Sequence, residues 1–212
     1  CITNGQFFSP NPNPTVLAFP VKQDGDVVSE GYGRINGKEE YPNQKLMLEI
    51  WEDGAKISLL PKKTLNEVSA PDMIAGLMKE VNKDSIYKKG RTFVGARALN
   101  KDGFSEKVFI FNSDKARQQD AVGVLSAGFK TSEVMMLDGG GSTQLICKNE
   151  ILIESSDDRK IPQFIAVVPG KPAVPGDDFD LGQWIKEWID RIGRFLEDFF
   201  EFIEFSAKML RR

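Results

Sequence analysis

The chain has 212 residues, 41% hydrophobic and 28% charged, with a net charge of −3 and an isoelectric point near 5.3. This is the composition of a globular protein long enough to bury a core, and it lacks the basic excess of a nucleic-acid binder. No apolar run approaches the ~18 residues of a membrane helix, and the absence of histidine excludes a Ser-His-Asp triad, a Cys–His pair, a histidine zinc site and any histidine general base.

Cys1 to Phe8 reads as a strand running into the Asn4-Gly5 turn, so the sequence opens in mid-sheet. Truncation or proteolytic processing is the favoured reading of that start, ahead of a lipid-modified Cys1. Ser9 to Pro14 is a Pro-rich loop, and Val16 to Val21 a short strand. Asp24-Gly25 and Asn36-Gly37 are tight turns. Lys45–Ile50 and Lys56–Leu60 form a hairpin across Glu52-Asp53-Gly54. Asn66 to Val81 reads as loop with a short helix. Arg91–Leu99 and Glu106–Asn112 form a second hairpin across Lys101-Asp102-Gly103. Ser113 to Phe129 reads as a helix, with Ser113 as N-cap, Ala116, Ala121, Val124 and Leu125 on one face, and Gly128 at its stop. Glu133 to Leu137 is a short buried strand. A third hairpin pairs Gln144–Cys147 with Ile151–Glu154, and Phe164–Val168 is a last core strand.

These elements predict an α+β fold: a mixed, largely antiparallel twisted sheet flanked by a few helices, spanning 1–168. Residues 169–180 read as a flexible linker from their Pro/Gly content. Residues 181–212 read as an amphipathic helix, with Trp184, Trp188, Phe195 and Phe199 on its apolar stripe. Such a stripe needs cover. It can dock on its own domain, on a partner or on a second copy. A membrane interface is disfavoured, because acids and bases balance on the polar face.

Cys1 and Cys147 are the two cysteines, and they fit no metal-ligand spacing. They form one disulfide in an exported protein or remain two thiols. Cys1 also permits an N-terminal nucleophile that uses its own α-amine as base.

The strongest chemical signal is Met135 to Thr143, Met-Met-Leu-Asp-Gly-Gly-Gly-Ser-Thr. An apolar strand delivers Asp138 to its end. Gly139, Gly140 and Gly141 then expose backbone amides unobstructed by side chains, and the hydroxyls of Ser142 and Thr143 follow. Such a run can cradle a phosphate or a developing oxyanion. The alternative is a Gly-rich turn with a capping aspartate.

This run resembles the Leu-Asp-Gly-Gly-Gly-Ser-Thr signature of the phosphodiester glycosidase family, the family of the uncovering-enzyme domain that removes N-acetylglucosamine from a phosphodiester. Three further segments resemble family motifs in the expected order: Ile2 to Phe8, Gly90 to Gly95 with Asp102-Gly103, and Asp158 to Val167. Gln6 and Gln163 depart from the pattern, standing where the family has Gly and Asn, as do Gln118 to Ala121. Gln6 is expected to narrow or alter the pocket. The family domain carries strands ahead of the Asn-Gly motif, so the resemblance implies that the chain holds the C-terminal portion of the domain, with a separate N-terminal polypeptide as one candidate partner.

The resemblance implies hydrolysis of a sugar-1-phosphodiester in a surface or extracellular glycan; the residues themselves give no cofactor and no metal-ligand set, and leave a metal near Asp138 open. Arg91 and Arg159 would grip the phosphate, and Asp138 would act as base, nucleophile or stabiliser of an oxocarbenium-like centre. Asn4, Gly139, Gly140, Gly141, Ser142 and Thr143 would bind substrate. Asp102, Asp120 and Glu154 are candidates for a second carboxylate. Secretion or cell-surface display is expected. The competing reading is a non-catalytic, family-derived domain that serves assembly through its C-terminal helix.

Overall fold

The structure, a computed structural model, describes residues 1–9, 15–35, 38–60, 65–98, 103–156 and 159–169. The expected linker and tail helix therefore lie, but for Pro169, outside the described residues, as do Asp102 and most of the 9–14 loop.

Among the described residues, sixteen strands follow in order: β1 (Ile2–Asn4), β2 (Phe8–Ser9), β3 (Val16–Leu17), β4 (Val21–Gln23), β5 (Asp26–Ser29), β6 (Arg34–Ile35), β7 (Lys38–Glu39), β8 (Lys45–Ile50), β9 (Ala55–Leu59), β10 (Asp72–Met78), β11 (Lys89–Arg97), β12 (Lys107–Ala116), β13 (Glu133–Met136), β14 (Leu145–Cys147), β15 (Glu150–Ile153) and β16 (Phe164–Ala166). Every strand pairing is antiparallel. One short α-helix, α1 (Gln118–Gly123), accompanies them among the described residues, which thus form an α+β mix dominated by antiparallel sheet.

The large sheet runs β12-β11-β13-β10-β4-β5, with the β8–β9 hairpin attached to β10. Its middle strands are apolar on both faces. On β10, Met73, Ala75 and Leu77 enter one core cluster and Ile74 the other. On β13, Val134 and Met136 face one cluster, and Met135 and Leu137 the other. Alternate side chains of a strand point to opposite faces, so strands covered on both sides lose the polar/apolar alternation. The first cluster is closed by Phe19, Leu65, Val68 and the α1 region through Ala121 and Leu125. Ile165 of β16 packs against the second.

A smaller sheet runs β15-β14-β1-β16. Ile2 lies opposite Ile146 and Ala166, and Ile146 opposite Ile151, so these residues share one face, and Phe164 belongs to the same face. That face is turned outward: Ile151 and Phe164 are 63% and 60% exposed. Cys1 is disulfide-bonded to Cys147 across a sequence separation of 146. Its α-amine donates to the Val167 carbonyl at 2.8 Å. With the sulfur bonded and the amine engaged, the N-terminal nucleophile reading of Cys1 falls.

Three local expectations need correction. The segment expected as loop with helix contains a single 3-10 turn at Leu65–Glu67 and then β10, a central strand. The helix expected from Ser113 starts later, because β12 continues to Ala116 in register with Lys89. Ser113 Oγ accepts from Lys115 N–H at 3.1 Å within the strand and caps no helix. The backbone N–H of Arg117 donates to the Asp120 carboxylate at 2.9 Å instead, and past Gly123 the coil widens into a π-turn ending at Gly128. The strand expected over Val16 to Val21 is two strands, β3 and β4, interrupted before Val21, where Pro20 lacks an amide donor.

Candidate active site at the seam of the two sheets

Residues 137–144 carry the chain from the large sheet into the small one, and hydrogen bonds from both sheets fix the crossing. Leu137 N–H donates to Thr92 O at 3.0 Å, and Asp138 N–H to Gly5 O at 3.1 Å. The Asn4 side-chain amide donates to Asp138 O at 2.8 Å. Asn4 Oδ1 accepts from Thr92 Oγ1 at 2.8 Å and from Gln144 N–H at 3.1 Å. Asn112 Nδ2 donates to Thr3 Oγ1 at 2.7 Å and to Thr92 Oγ1 at 3.1 Å. Asn4 is 2% exposed and Thr92 fully buried. Asn4, expected to bind substrate, is a buried knot that pins the main chain of Asp138. Sequence reasoning missed Thr3, Thr92 and Asn112. Their one signal is polar side chains inside otherwise apolar strands.

The glycines are fixed by close approach and by backbone conformation. Gly140 adopts φ +61°, a left-handed conformation that costs an L-residue about 1–2 kcal/mol. A Cβ on Gly139 would lie 2.7 Å from Gly90 O, and a Cβ on Gly90 would collide with Gly140 O. The glycine of the 90–95 motif thus packs directly on the triple glycine. Gly139 N–H donates to Asp138 Oδ1 at 2.9 Å.

The Asp138 carboxyl lines a pocket of about 370 Å³. Burial pushes its pKa up. Hydrogen bonds from Ser142 and the Gly139 amide oppose that rise, as do the charges of Arg159 and Lys83. Ser142 is fully buried and accepts from Arg159 Nη1 at 3.4 Å. Arg159 also lies 3.5 Å from where a Cβ on Gly141 would sit. The structure thus gathers Asp138, the three glycines, Ser142 and Arg159 in one place.

Arg91 lines the same pocket, but its donors are taken up by main-chain carbonyls. Nε donates to Ala116 O at 3.3 Å and Nη1 to Lys83 O at 2.7 Å. Nη2 donates to Asp84 O at 2.7 Å and to Tyr87 O at 3.2 Å. The guanidinium is 4% exposed and holds the 83–87 loop in place. That loop and the first residue of β11 supply cations that sequence reasoning missed. Lys83 Nζ donates to Tyr41 Oη at 2.9 Å and sits 5.2 Å from the Phe7 ring centroid. Lys89 is paired with Asp84 on the pocket wall. Tyr32 lies close enough to Glu40 and Asp138 to feel both, and burial, followed by Glu40, pushes its hydroxyl up to about 12.

Among the candidates for a second carboxylate, Asp120 is spent on the α1 N-terminus. Glu154 lines a neighbouring hollow that shares Lys89 and Gly140 with the Asp138 pocket. Gln6 does not narrow the pocket. It is 1% exposed, and its amide pairs both ways with the chain at Phe19, donating to Phe19 O and accepting from Phe19 N–H, each at 2.8 Å. Gln163 presses against Gly5, whose Cβ would collide with it, and its Oε1 accepts from Gln6 N–H at 3.0 Å.

No protein-family model and no curated protein sequence matches the chain. Among solved structures it is similar to the zebrafish N-acetylglucosamine-1-phosphodiester alpha-N-acetylglucosaminidase catalytic domain auto-inhibited by pro-peptide. The TM-score is 0.51 at 17% identity, over 73% of this chain and 55% of that one. The chain thus spans about half the length of that structure, and at this identity the likeness is one of fold.

Proposed function

We propose that this protein is a hydrolase of the phosphodiester glycosidase type, cleaving the bond between the anomeric carbon of a sugar and its phosphodiester oxygen. Water supplies the hydroxyl that ends on C1. The water's second proton goes with the departing oxygen, giving a free sugar and a phosphate monoester. The observation that carries the proposal is the Asp138 carboxylate, set on the wall of a pocket that is also lined by Lys83, Lys89 and the side chains of Phe7 and Tyr41. Ionised Asp138 faces the positive charge that develops at C1, or takes the proton of the attacking water. Arg159, Lys83 and Lys89 offset the phosphate charge, and Phe7 and Tyr41 offer apolar surface to a sugar ring. Arg91 is a positioning residue that holds the loop carrying Lys83. The fold shared with a phosphodiester glycosidase catalytic domain supports the same reaction. The Cys1–Cys147 disulfide supports work in an oxidising, extracellular or cell-surface compartment.

The test is release of free sugar from a panel of sugar-1-phosphodiesters. Turnover that disappears in Asp138→Ala supports the reading. Absence of turnover across the panel, with folded protein, defeats it.

The outward apolar face of the small sheet, with Ile151 and Phe164 well exposed, favours a second reading, an assembly subunit. In this reading a separate polypeptide of the same domain, or a second copy of this chain, covers that face. Sedimentation of the purified protein tests it, with a lone monomer as the opposing result.

A further inference from the structure

Lysine is a flexible four-carbon stem that ends on a point charge, yet the ammonium of Lys83 is held by three contacts. Nζ donates to Tyr41 Oη at 2.9 Å. It also lies 5.1 Å from the centroid of the Tyr41 ring and 5.2 Å from that of Phe7, the range in which a ring face attracts a cation. Asp138 is near enough to feel this charge. Burial raises its carboxyl, and Lys83 is among the groups that oppose the rise. Among the described residues, however, Lys83 forms no ion pair with that carboxylate. A lysine left free in the field of Asp138 would fold onto it, and the pair would cancel the charge meant for the sugar and the charge meant for the phosphate.

The residue that holds Lys83 is itself held in an unusual backbone conformation. Tyr41 has φ +51°, and Asp84, next to Lys83 in the chain, has φ +54°. Bulky side chains seldom adopt left-handed backbone. Tyr41 also precedes Pro42, which favours extended backbone in the residue before it. Tyr41 O accepts from Gln44 N–H at 3.2 Å, and Lys45 Nζ donates to Glu40 O at 3.0 Å, so the turn is braced from both sides. Both left-handed residues line the Asp138 pocket. Strain of this kind persists where the surrounding structure enforces it, and it collects at working sites.

We infer that Tyr41 is a positioning residue for Lys83: its hydroxyl and ring, with the ring of Phe7, keep the ammonium off Asp138 and present it to the phosphoryl anion. The inference rests on the phosphodiester reading above for the identity of that anion. An ammonium has three N–H donors. Tyr41 Oη takes one, and two are left for phosphoryl oxygens. A cation already fixed in place also loses less freedom when the anion arrives.

The experiment is a double-substitution cycle read by calorimetry on the full chain, with inorganic phosphate as the probe. Lys83→Met is expected to weaken phosphate binding about tenfold, and Tyr41→Phe, which removes one oxygen and keeps the ring, about fivefold. Added to Lys83→Met, the Tyr41→Phe change has no further effect, because no ammonium is left to aim. Proton NMR supplies a signature that needs no substitution. The ε-methylene protons of Lys83, beside two rings, are expected upfield of an ordinary lysine and move when phosphate saturates the protein. Wild type that binds no phosphate, Lys83 resonances that ignore it, or Tyr41→Phe with wild-type affinity overturns the inference. An equal loss in both backgrounds does so too, since Tyr41 would then touch the anion directly. Phosphate binding needs no turnover. A cycle that closes as expected in a protein that releases no sugar defeats the catalytic reading and leaves the positioning role standing. Sugar release in a protein whose phosphate affinity ignores Tyr41 does the reverse.

Discussion

The side-chain amide of Asn4 donates to the main-chain oxygen of Asp138 at 2.8 Å, across a sequence separation of 134. One residue of the first strand thereby sets the position of the carboxylate at the end of the thirteenth. Asn4→Ala removes that donor and leaves Thr92 Oγ1 and Gln144 N–H without their acceptor. Unfolding in urea is expected to show a loss of about 2–4 kcal/mol. Sugar release should fall as well, because Asp138 is no longer held. Unchanged stability would mean that the knot is not a knot.

Gly90 and Gly140 should respond differently to the same added methyl. In Gly140→Ala the cost is conformational, since φ is +61° and the space is open. About 1–2 kcal/mol is expected. In Gly90→Ala the new Cβ meets the Gly140 carbonyl, which is backbone and has no flexible end to yield. The glycine loop must move, so activity should drop more than stability predicts. Thermal melts and kcat/KM on the same pair of variants separate the two effects.

The raised pKa of Asp138 fixes a sign. Burial lifts the carboxyl above its ordinary range in the folded protein, so the folded state holds the proton more tightly than the unfolded state. Ionised Asp138 therefore costs stability once the pH passes the ordinary carboxylate range, and the cost is complete above the folded pKa. Asp138→Asn should be at least as stable as wild type at neutral pH, with the advantage vanishing in acid. Its sugar release should fall on the order of a thousandfold. The acid limb of the wild-type pH profile should lie above the ordinary carboxylate range.

Arg91→Lys keeps the charge and loses the fork. Ala116 O, Lys83 O, Asp84 O and Tyr87 O cannot all be reached by one ammonium. A stability loss of about 2–4 kcal/mol is expected, together with a raised KM, since the loop presenting Lys83 is no longer fixed. A direct phosphate ligand would instead lose affinity with stability intact, so comparing KM with the melting temperature decides between the two roles.

The hairpins were legible because turn dipeptides and alternation lie close together in the chain. Lys45–Ile50 with Ala55–Leu59, and Lys89–Arg97 with Lys107–Ala116, fall where turn chemistry puts them. Strand β10 was not legible. Asp72–Met78 is apolar on both faces, and a short apolar run carries no period that separates a strand from a buried helix. The helix expected from Ser113 failed for another reason: β12 is an edge strand, so its polar outer residues mimic a helix start. In the site, Asp138 and the glycines were legible because local spacing encodes them. The fate of Arg91 was not, since its acceptors are carbonyls on a loop that only the tertiary fold brings near. Tyr41 and Lys83 carry no local signal at all.

The Cys1–Cys147 bond closes a ring around most of the described chain, and both of its ends sit in strands that flank the seam. A protease that nicks any exposed connection inside the ring would therefore yield pieces that still travel together on a gel until a thiol reagent is added. The strand bearing Asn4 would stay clasped beside the strand that follows the glycine loop, so a cut polypeptide could keep a whole seam.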